Sequence, residues 1–385
     1  MDTITAAGKD GSSFGTFLYM AMEVSQSRWV LAFGTTSGRK RRVGVDGGDL
    51  VATVDAIAEA KQRLGLRDDA GVRSCYEAGR DGFWIHRWLA SEGVESVVVD
   101  SASIEVNRRA RRAKTDRLDA EKLLEQLMRW HGGERKVWKV VRVPSPEAED
   151  ARRLDREWGD LKEERTRHIG RIRSLFATKG IRLCPGSSFL EHLAEARQWN
   201  GEPVPSGLRN ELEHEYRRLE LVEERLRELK ATRAARLKAP QDVSDRKAAQ
   251  LARLKGIGDI GAWLLAKEAF GWRTFQNRRE VGAFAGMTGT PYQSGGGNHE
   301  QGISKAGNKR VRAIMIQLAW RWLRWQESSQ LTLWFLERFA RGGSRSRRVG
   351  IVALARKLLI ALWRYVEQGI VPEGAVFSAT PETEH

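Results

Sequence analysis

The chain has 385 residues, and its 66 Lys and Arg against 50 Asp and Glu give a formal net charge of +16 and an isoelectric point near 10.1. That length suits two or three domains, and the basic balance points to a polyanionic partner, nucleic acid first. Cys75 and Cys184 lie far apart without Cys or His at ligand spacing, which argues against a disulfide framework and a zinc site. Met1–Thr16 is polar rather than leader-like, and Arg312, Arg321 and Arg324 interrupt the apolar run Val311–Trp325, so no membrane is expected. The chain reads as a protein of the reducing cytoplasm.

Phe17–Met22, Arg28–Thr35 and Arg39–Val45 are short, β-rich and separated by polar or Gly-containing breaks, as in a three-stranded meander. Leu50–Leu64 carries apolar residues at helical spacing. Val72–Tyr76 and Val94–Val99 read as buried strands on either side of a helix at Phe83–Ala90. Asp116 and Asp119 open a further apolar-periodic segment through Leu118, Leu123, Leu124 and Leu127. This order predicts an α/β domain with a mixed sheet over residues 1–145, ended by Pro144-Ser145-Pro146.

Over 146–240, Leu154, Leu161, His168 and Leu175 recur every seven residues, and so do Leu212, Leu219 and Leu226 after a Gly/Pro-containing break at 184–207. Two such segments predict an antiparallel coiled-coil hairpin, a dimerisation arm in its functional reading. Residues 241–385 read as mainly helical and hold 22 Lys and Arg against 12 Asp and Glu, so much of the excess charge sits here. Gly256-Ile257-Gly258 between two apolar-periodic segments resembles a helix-hairpin-helix turn, whose backbone N–H groups can meet a phosphate. Ser294 stands before three glycines, which let a backbone approach closely and expose a hydroxyl. Ser304 is the rival serine, with Lys305, Asn308, Lys309 and Arg310 suited to DNA backbone contact. Arg345, Arg347 and Arg348 lie in what reads as a basic loop between helices. Most tryptophans of this region are expected in the core or under Arg side chains rather than against bases.

Chemistry concentrates around Asp116 and Asp119. Just upstream run Arg108, Arg109, Arg111, Arg112 and Lys114, cations placed to hold nucleic acid. Glu23 and Glu77 fall at the ends of two predicted strands, where α/β sheets gather their sites. Four carboxylates would offer hard oxygen donors suited to Mg²⁺. Asp46 is a worse-placed substitute for Glu23.

Cys75-Tyr76-Glu77-Ala78-Gly79, Lys114-Thr115-Asp116-Arg117-Leu118-Asp119-Ala120, Gly256-Ile257-Gly258, Pro291-Tyr292-Gln293-Ser294-Gly295-Gly296 and Ile303-Ser304-Lys305-Ala306-Gly307-Asn308 follow one another in an order and spacing that resemble the DEDD transposases of the insertion-sequence 110 family, the bridge-RNA-guided recombinases. The resemblance covers nearly the whole chain. It implies an N-terminal RuvC-type, RNase H-like domain, a coiled-coil middle, and a C-terminal domain whose nucleophile is Ser294. It further implies a structured noncoding guide RNA, donor and target double-stranded DNA, and a homo-oligomer, a dimer that becomes a tetramer in the synaptic complex, in a prokaryotic, nucleoid-associated setting. The family's first acid is usually Asp, and Glu23 takes that slot here. The competing readings are a metal-dependent DNA junction nuclease that uses the acids alone, and a nucleic-acid-binding protein with a dead site.

Overall fold

A computed structural model describes residues 17–104, 116–294 and 297–378, with backbone alone at 102, 116–118, 290–294 and 297–301. Chain contacts divide it into two compact units, residues 1–143 and 144–385.

The first unit is built on a five-stranded mixed sheet. Strands β1 (Leu18–Val24), β2 (Arg28–Gly34) and β3 (Lys40–Asp46) form the expected antiparallel meander. Strands β4 (Val72–Glu77) and β5 (Glu95–Val99) then add parallel to β1, giving the order β3-β2-β1-β4-β5. Parallel pairing requires crossovers, supplied by helices α1 (Leu50–Leu64) and α2 (Trp84–Ser91). Helix α1 starts where Asp49 accepts a hydrogen bond from the Ala52 amide, and it stops at Gly65 in the left-handed conformation. On one face of the sheet Leu18, Met20 and Met22 pack with Ile57 and Ile85. On the other, Tyr19, Ala21 and Cys75 pack with Ala120, Leu123, Leu124 and Leu127 of helix α3 (Asp116–His131). Strand β1 thus buries both of its faces, and it reads as a nearly continuous apolar run.

Two charged helices dominate the start of the second unit. After the short helix α4 (Pro146–Asp150), helices α5 (Arg153–Ala177) and α7 (Ser206–Lys238) pack antiparallel, with the short helix α6 (Phe189–Glu195) between them in sequence. The direction follows from the cross-pairs Arg171–Glu211, His168–Glu215, Arg165–Glu223 and Arg225–Glu157. Ile172, Phe176, Leu212, Tyr216 and Leu219 form the buried seam.

The remainder folds around one core of helices α8 (Val243–Ala252), α9 (Gly258–Leu265), α10 (Arg278–Phe284), α11 (Lys309–Trp325), α12 (Gln330–Phe339) and α13 (Ser344–Gln368). Two features depart from the sequence reading. Residues 289–303 form a hairpin, β6 (Gly289–Ser294) with β7 (Gly297–Ile303), inside the expected helical region. Ser344–Arg348 is not a loop but the first turn of α13, so Arg345, Arg347 and Arg348 are exposed on a helix. Gly343, with no capping side chain, precedes them. Trp263 and Trp322 are fully buried, as expected for core tryptophans. Among the described residues, no helix is long and apolar enough to cross a membrane.

Candidate functional site

In the first unit the acids are placed by strand register. Met22 of β1 lies beside Tyr76 of β4. One step further along both parallel strands, Glu23 therefore stands beside Glu77. Side chains alternate along a strand, so both glutamates share the face of Ala21 and Cys75, the face that α3 covers. Each is half-buried. Strand β1 continues to Val24, two residues beyond expectation, which puts Glu23 inside the paired strand and fixes its side.

Helix α3 runs opposite to β1. Its last residue, His131, lies against Tyr19 near the start of the strand, with ring centroids 5.8 Å apart. Burial pushes the His131 imidazole down to about 4, with Arg73 acting in the same direction. Further along, the Cys75 thiol donates to the Leu123 carbonyl at 3.8 Å. Asp119 is one helical turn before Leu123, and Glu23 is two residues past Ala21, steps of roughly 6 Å each in the same direction. The N-terminal turn of α3 thus lies toward the strand ends that carry Glu23 and Glu77. Asp119 is half-buried, and Asp116 opens the helix, its side chain outside the described ones. Asp46 ends β3, two strands from β1, about 10 Å away at ordinary strand spacing. Glu23 is therefore the better-placed acid.

Carboxylate oxygens fit a hard divalent cation. Among the described residues, no three Asp, Glu, His or Cys side chains converge closely enough to hold a metal. Backbone placement brings the acids to one end of one layer. Arg108, Arg109, Arg111, Arg112 and Lys114 lie outside the described residues.

In the second unit, Ser294 pairs with Gly297 at the far end of the hairpin. Ser304 follows its base, where the Ser304 amide donates to the Thr288 carbonyl and its Oγ faces the Thr288 hydroxyl at 3.4 Å. Seven residues of β7 span roughly 20 Å, so the two serines belong to opposite ends of the hairpin. The base is held by backbone bonds from Lys305 to Gly286 (3.0 Å) and from Asn308 to Phe284 (2.7 Å). Gly307 has φ +145, and a Cβ there would come 2.5 Å from the Phe284 carbonyl oxygen, which leaves room only for glycine.

Asn308 and Arg310 are committed to the interior of this unit. Asn308 caps α11, its Oδ1 accepting from the Arg310 and Val311 amides, while its Nδ2 donates to Glu268 at 3.1 Å. The Arg310 guanidinium donates to the Asp155 carboxylate at 3.0 Å and to its carbonyl at 2.7 Å. Burial pushes the Asp155 carboxyl up, against the pull of Arg310. Glu268 lies in a π-helical turn, Ala266–Phe270, that directs both Lys267 and Glu268 inward. Lys267 meets Asp245, Asp242 and Ser244, with Asp245 at 2.6 Å. These buried charges were not anticipated, although the pair Lys267-Glu268 in the otherwise apolar Leu264–Phe270 is a legible sign of them. Lys305 and Lys309 are exposed.

The Gly256 turn sits between α8 and α9 with φ +91 at Gly256 and +66 at Gly258. It packs on α11: a Cβ on Gly256 would lie 3.3 Å from Trp325 Cβ, and one on Gly258 3.1 Å from the Arg321 guanidinium.

Residues 248–333, which span the Gly256 turn, the hairpin and α11, match the model of the IS116/IS110/IS902 transposase family. Among similar proteins is one of Sinorhizobium fredii named "Putative transposase y4rJ", 41% identical over 376 residues, 93% of this chain and 94% of that protein. Another is the transposase for insertion sequence element IS1328 of Yersinia enterocolitica, 29% identical over 265 residues, 67% of this chain and 73% of that one.

Proposed function

Because the chain belongs to the IS116/IS110/IS902 transposase family, we propose that it moves an insertion sequence by RNA-guided DNA strand exchange, with Ser294 as nucleophile and Glu23, Glu77, Asp116 and Asp119 as the acidic site. The observation that carries the reading is the shared layer end of the acids: two on adjacent parallel strand ends, two on the first turn of the helix that covers them. The sheet order β3-β2-β1-β4-β5, with only β2 antiparallel to the central β1, supports a RuvC-type, RNase H-like domain. The antiparallel pair α5–α7 supports a coiled-coil arm through which a homodimer, and a tetramer in the synaptic complex, would assemble. Domains of 1–145, 146–240 and 241–385 are proposed on this basis.

Mg²⁺ held by the four acids would neutralise charge on the scissile phosphate and the departing oxygen. The chain's own part is positional and nucleophilic. Ser294, at the end of a β-ribbon flanked by glycines, gives up its proton while Oγ bonds to phosphorus. The bond to the DNA 3′ oxygen breaks, and that oxygen takes up a proton. A 3′ hydroxyl of another strand then attacks the same phosphorus and loses its proton, the bond to Oγ breaks and the serine regains a proton, so DNA is rejoined without net hydrolysis. Sequence would be read by pairing between guide RNA and DNA, while Lys305, Lys309, Arg345, Arg347, Arg348 and the basic run at 108–114 grip phosphates. Arginines at the N-terminus of α13 oppose the helix dipole, a cost that a bound phosphate backbone relieves.

The test is a denaturing gel of a stalled reaction. A protein band shifted by covalent DNA and dependent on Mg²⁺ is expected for the native chain and lost in Ser294→Ala, which still binds RNA and DNA. Retention of the band in Ser294→Ala with loss in Ser304→Ala would transfer the role to Ser304. Cleaved ends without any covalent species would establish the hydrolytic nuclease instead.

A further inference from the structure

Helix α11 buries Val311, Met315, Leu318, Ala319 and Trp322. Gln317, Trp320, Arg321, Arg324 and Trp325 of the same helix lie in solvent, Trp320 opposite the buried side and Trp325 at the helix end beside it. Trp320 is 44% and Trp325 43% exposed, whereas Trp322 between them is fully buried. Two large indoles facing water with two arginines between them differ from the core tryptophans around them.

The face is rigidly supported. Gln326, fully buried at the end of α11, donates from Nε2 to the Lys255 and Val376 carbonyls and accepts from the Val376 amide, each at 2.7 Å. This fastens the Lys255–Gly258 turn beside Trp325 and Arg321. The Lys255 ammonium lies 5.4 Å and the Arg324 guanidinium 5.2 Å from the Trp325 ring centroid. Trp320 is substantially exposed, and among the described residues no Arg or Lys stands over its ring. Lys255, Arg321 and Arg324 are exposed cations. The acids nearby in sequence are Asp259, whose charge is felt by Arg233, and Glu327 beyond the helix end.

We propose that this face of α11 binds an unpaired DNA strand, with a base stacked on Trp320 and the adjoining phosphates on Arg321, Arg324 and Lys255. A duplex hides the faces of its bases and presents only its edges and phosphates. An open indole among cations therefore matches a strand whose bases are free to stack. Trp325, clasped by Lys255 and Arg324, holds these two cations at the end of the helix. The proposal rests on the strand-exchange reading above, since exchange requires strands to leave their partners, and it adds where the freed strand is held.

The test measures binding of the full chain to labelled dT20, to a 20-base-pair duplex of mixed sequence and to U20, at several salt concentrations. Trp320→Ala is expected to weaken dT20 binding by roughly five-fold or more, the lower end of base–aromatic stacking, and to leave duplex binding within about two-fold. Its salt slope should match that of the native chain, because no cation is removed. Trp320→Phe keeps a ring and should retain most of the dT20 affinity. Arg321→Ala with Arg324→Ala should flatten the dT20 salt slope by roughly 1.4, about 0.7 per phosphate contact. If Trp320→Ala fails to fold, Trp320→Gln takes its place with the same expected loss. Native dT20 binding by the folded variant, or equal loss of dT20 and duplex, overturns the proposal. A Trp320-dependent affinity confined to U20 also overturns it, assigning the face to RNA. Binding is read without catalysis, so a chain that fails to exchange strands while passing this test would sink the mechanism above and leave this surface standing.

Discussion

Asn308 joins two jobs that one substitution can separate. Its Oδ1 caps α11, and its Nδ2 donates to the buried Glu268 at 3.1 Å. Asn308→Ala removes both: about 1 kcal/mol for the cap and about 2 kcal/mol for a hydrogen bond to a buried carboxylate. Asn308→Asp keeps the cap, because Asp caps as well as Asn. It instead sets two carboxylates against each other, costing about 4 kcal/mol for like charges at 4 Å and an effective dielectric of 20. Such a pair holds its proton above the ordinary carboxylate range. The penalty is therefore absent below the unfolded value near 4 and grows as pH rises through the raised folded value. Adding Glu268→Gln to Asn308→Asp restores a donor opposite an acceptor, and the double variant should return to within about 1 kcal/mol of the native chain. Urea unfolding at pH 5 and pH 8 measures the stability, and dT20 and duplex affinity are measured on the same preparations. A double variant no more stable than Asn308→Asp would refute the pairing. Full stability with lost DNA affinity would instead make Asn308 a direct phosphate contact.

Three further outcomes are expected. Asp119→Asn, and Asp116→Asn with it, should abolish Mg²⁺-dependent strand exchange while circular dichroism stays native, and Glu23→Asp should retain or raise activity. Exchange at the native rate by the double Asp variant would remove the acids from the mechanism. Burial works against the Asp242 carboxylate, but Ser244, the Asp245 amide and Lys267 hold it down at about 2. Its contribution to stability is then present above its ordinary value near 3.8 and is lost as pH falls through about 2. Asp242→Asn keeps the α8 cap and should flatten the acid limb of a stability–pH profile, an unchanged limb counting against the assignment.

The meander, both crossover helices and the two long charged helices are legible in the chain because the strands are short apolar or β-rich runs between polar or Gly-containing breaks and the helices carry apolar residues at helical or sevenfold spacing. The positions of Glu23 and Glu77 are legible for the same reason: each follows an apolar strand directly. The hairpin at 289–303 is not, since Gly, Gln, Asn and His there supply no alternation, and the backbone bonds that close its base join residues distant from it in local pattern, Asn308 to Phe284 and Lys305 to Gly286. The start of α13 is hidden by Gly342, Gly343 and four arginines, a composition that reads as solvent loop until Gly350 packs on Phe339 and Phe335. The inward turn of Lys267 and Glu268 needs a π-helical step, and local propensity carries no mark of one.

The small residues beneath α3 set a distance. Ala21, Ala32, Cys75 and Ala120 are all fully or almost fully buried between helix and sheet, and a Cβ on Gly34 would lie 3.1 Å from Leu124. Where these small residues lie, they leave room for Leu123, Leu124 and Leu127 of α3 to seat on the sheet. The spacing of that layer bears on how the strand-end glutamates and the start of α3 face one another. Under the mechanism proposed above, Glu23 would reach across that spacing with one methylene more than an Asp at the same position. Strand-end acid and interlayer spacing would then have to vary together, and a bulky residue at Ala21 would act on the chemistry as a change at Glu23 does.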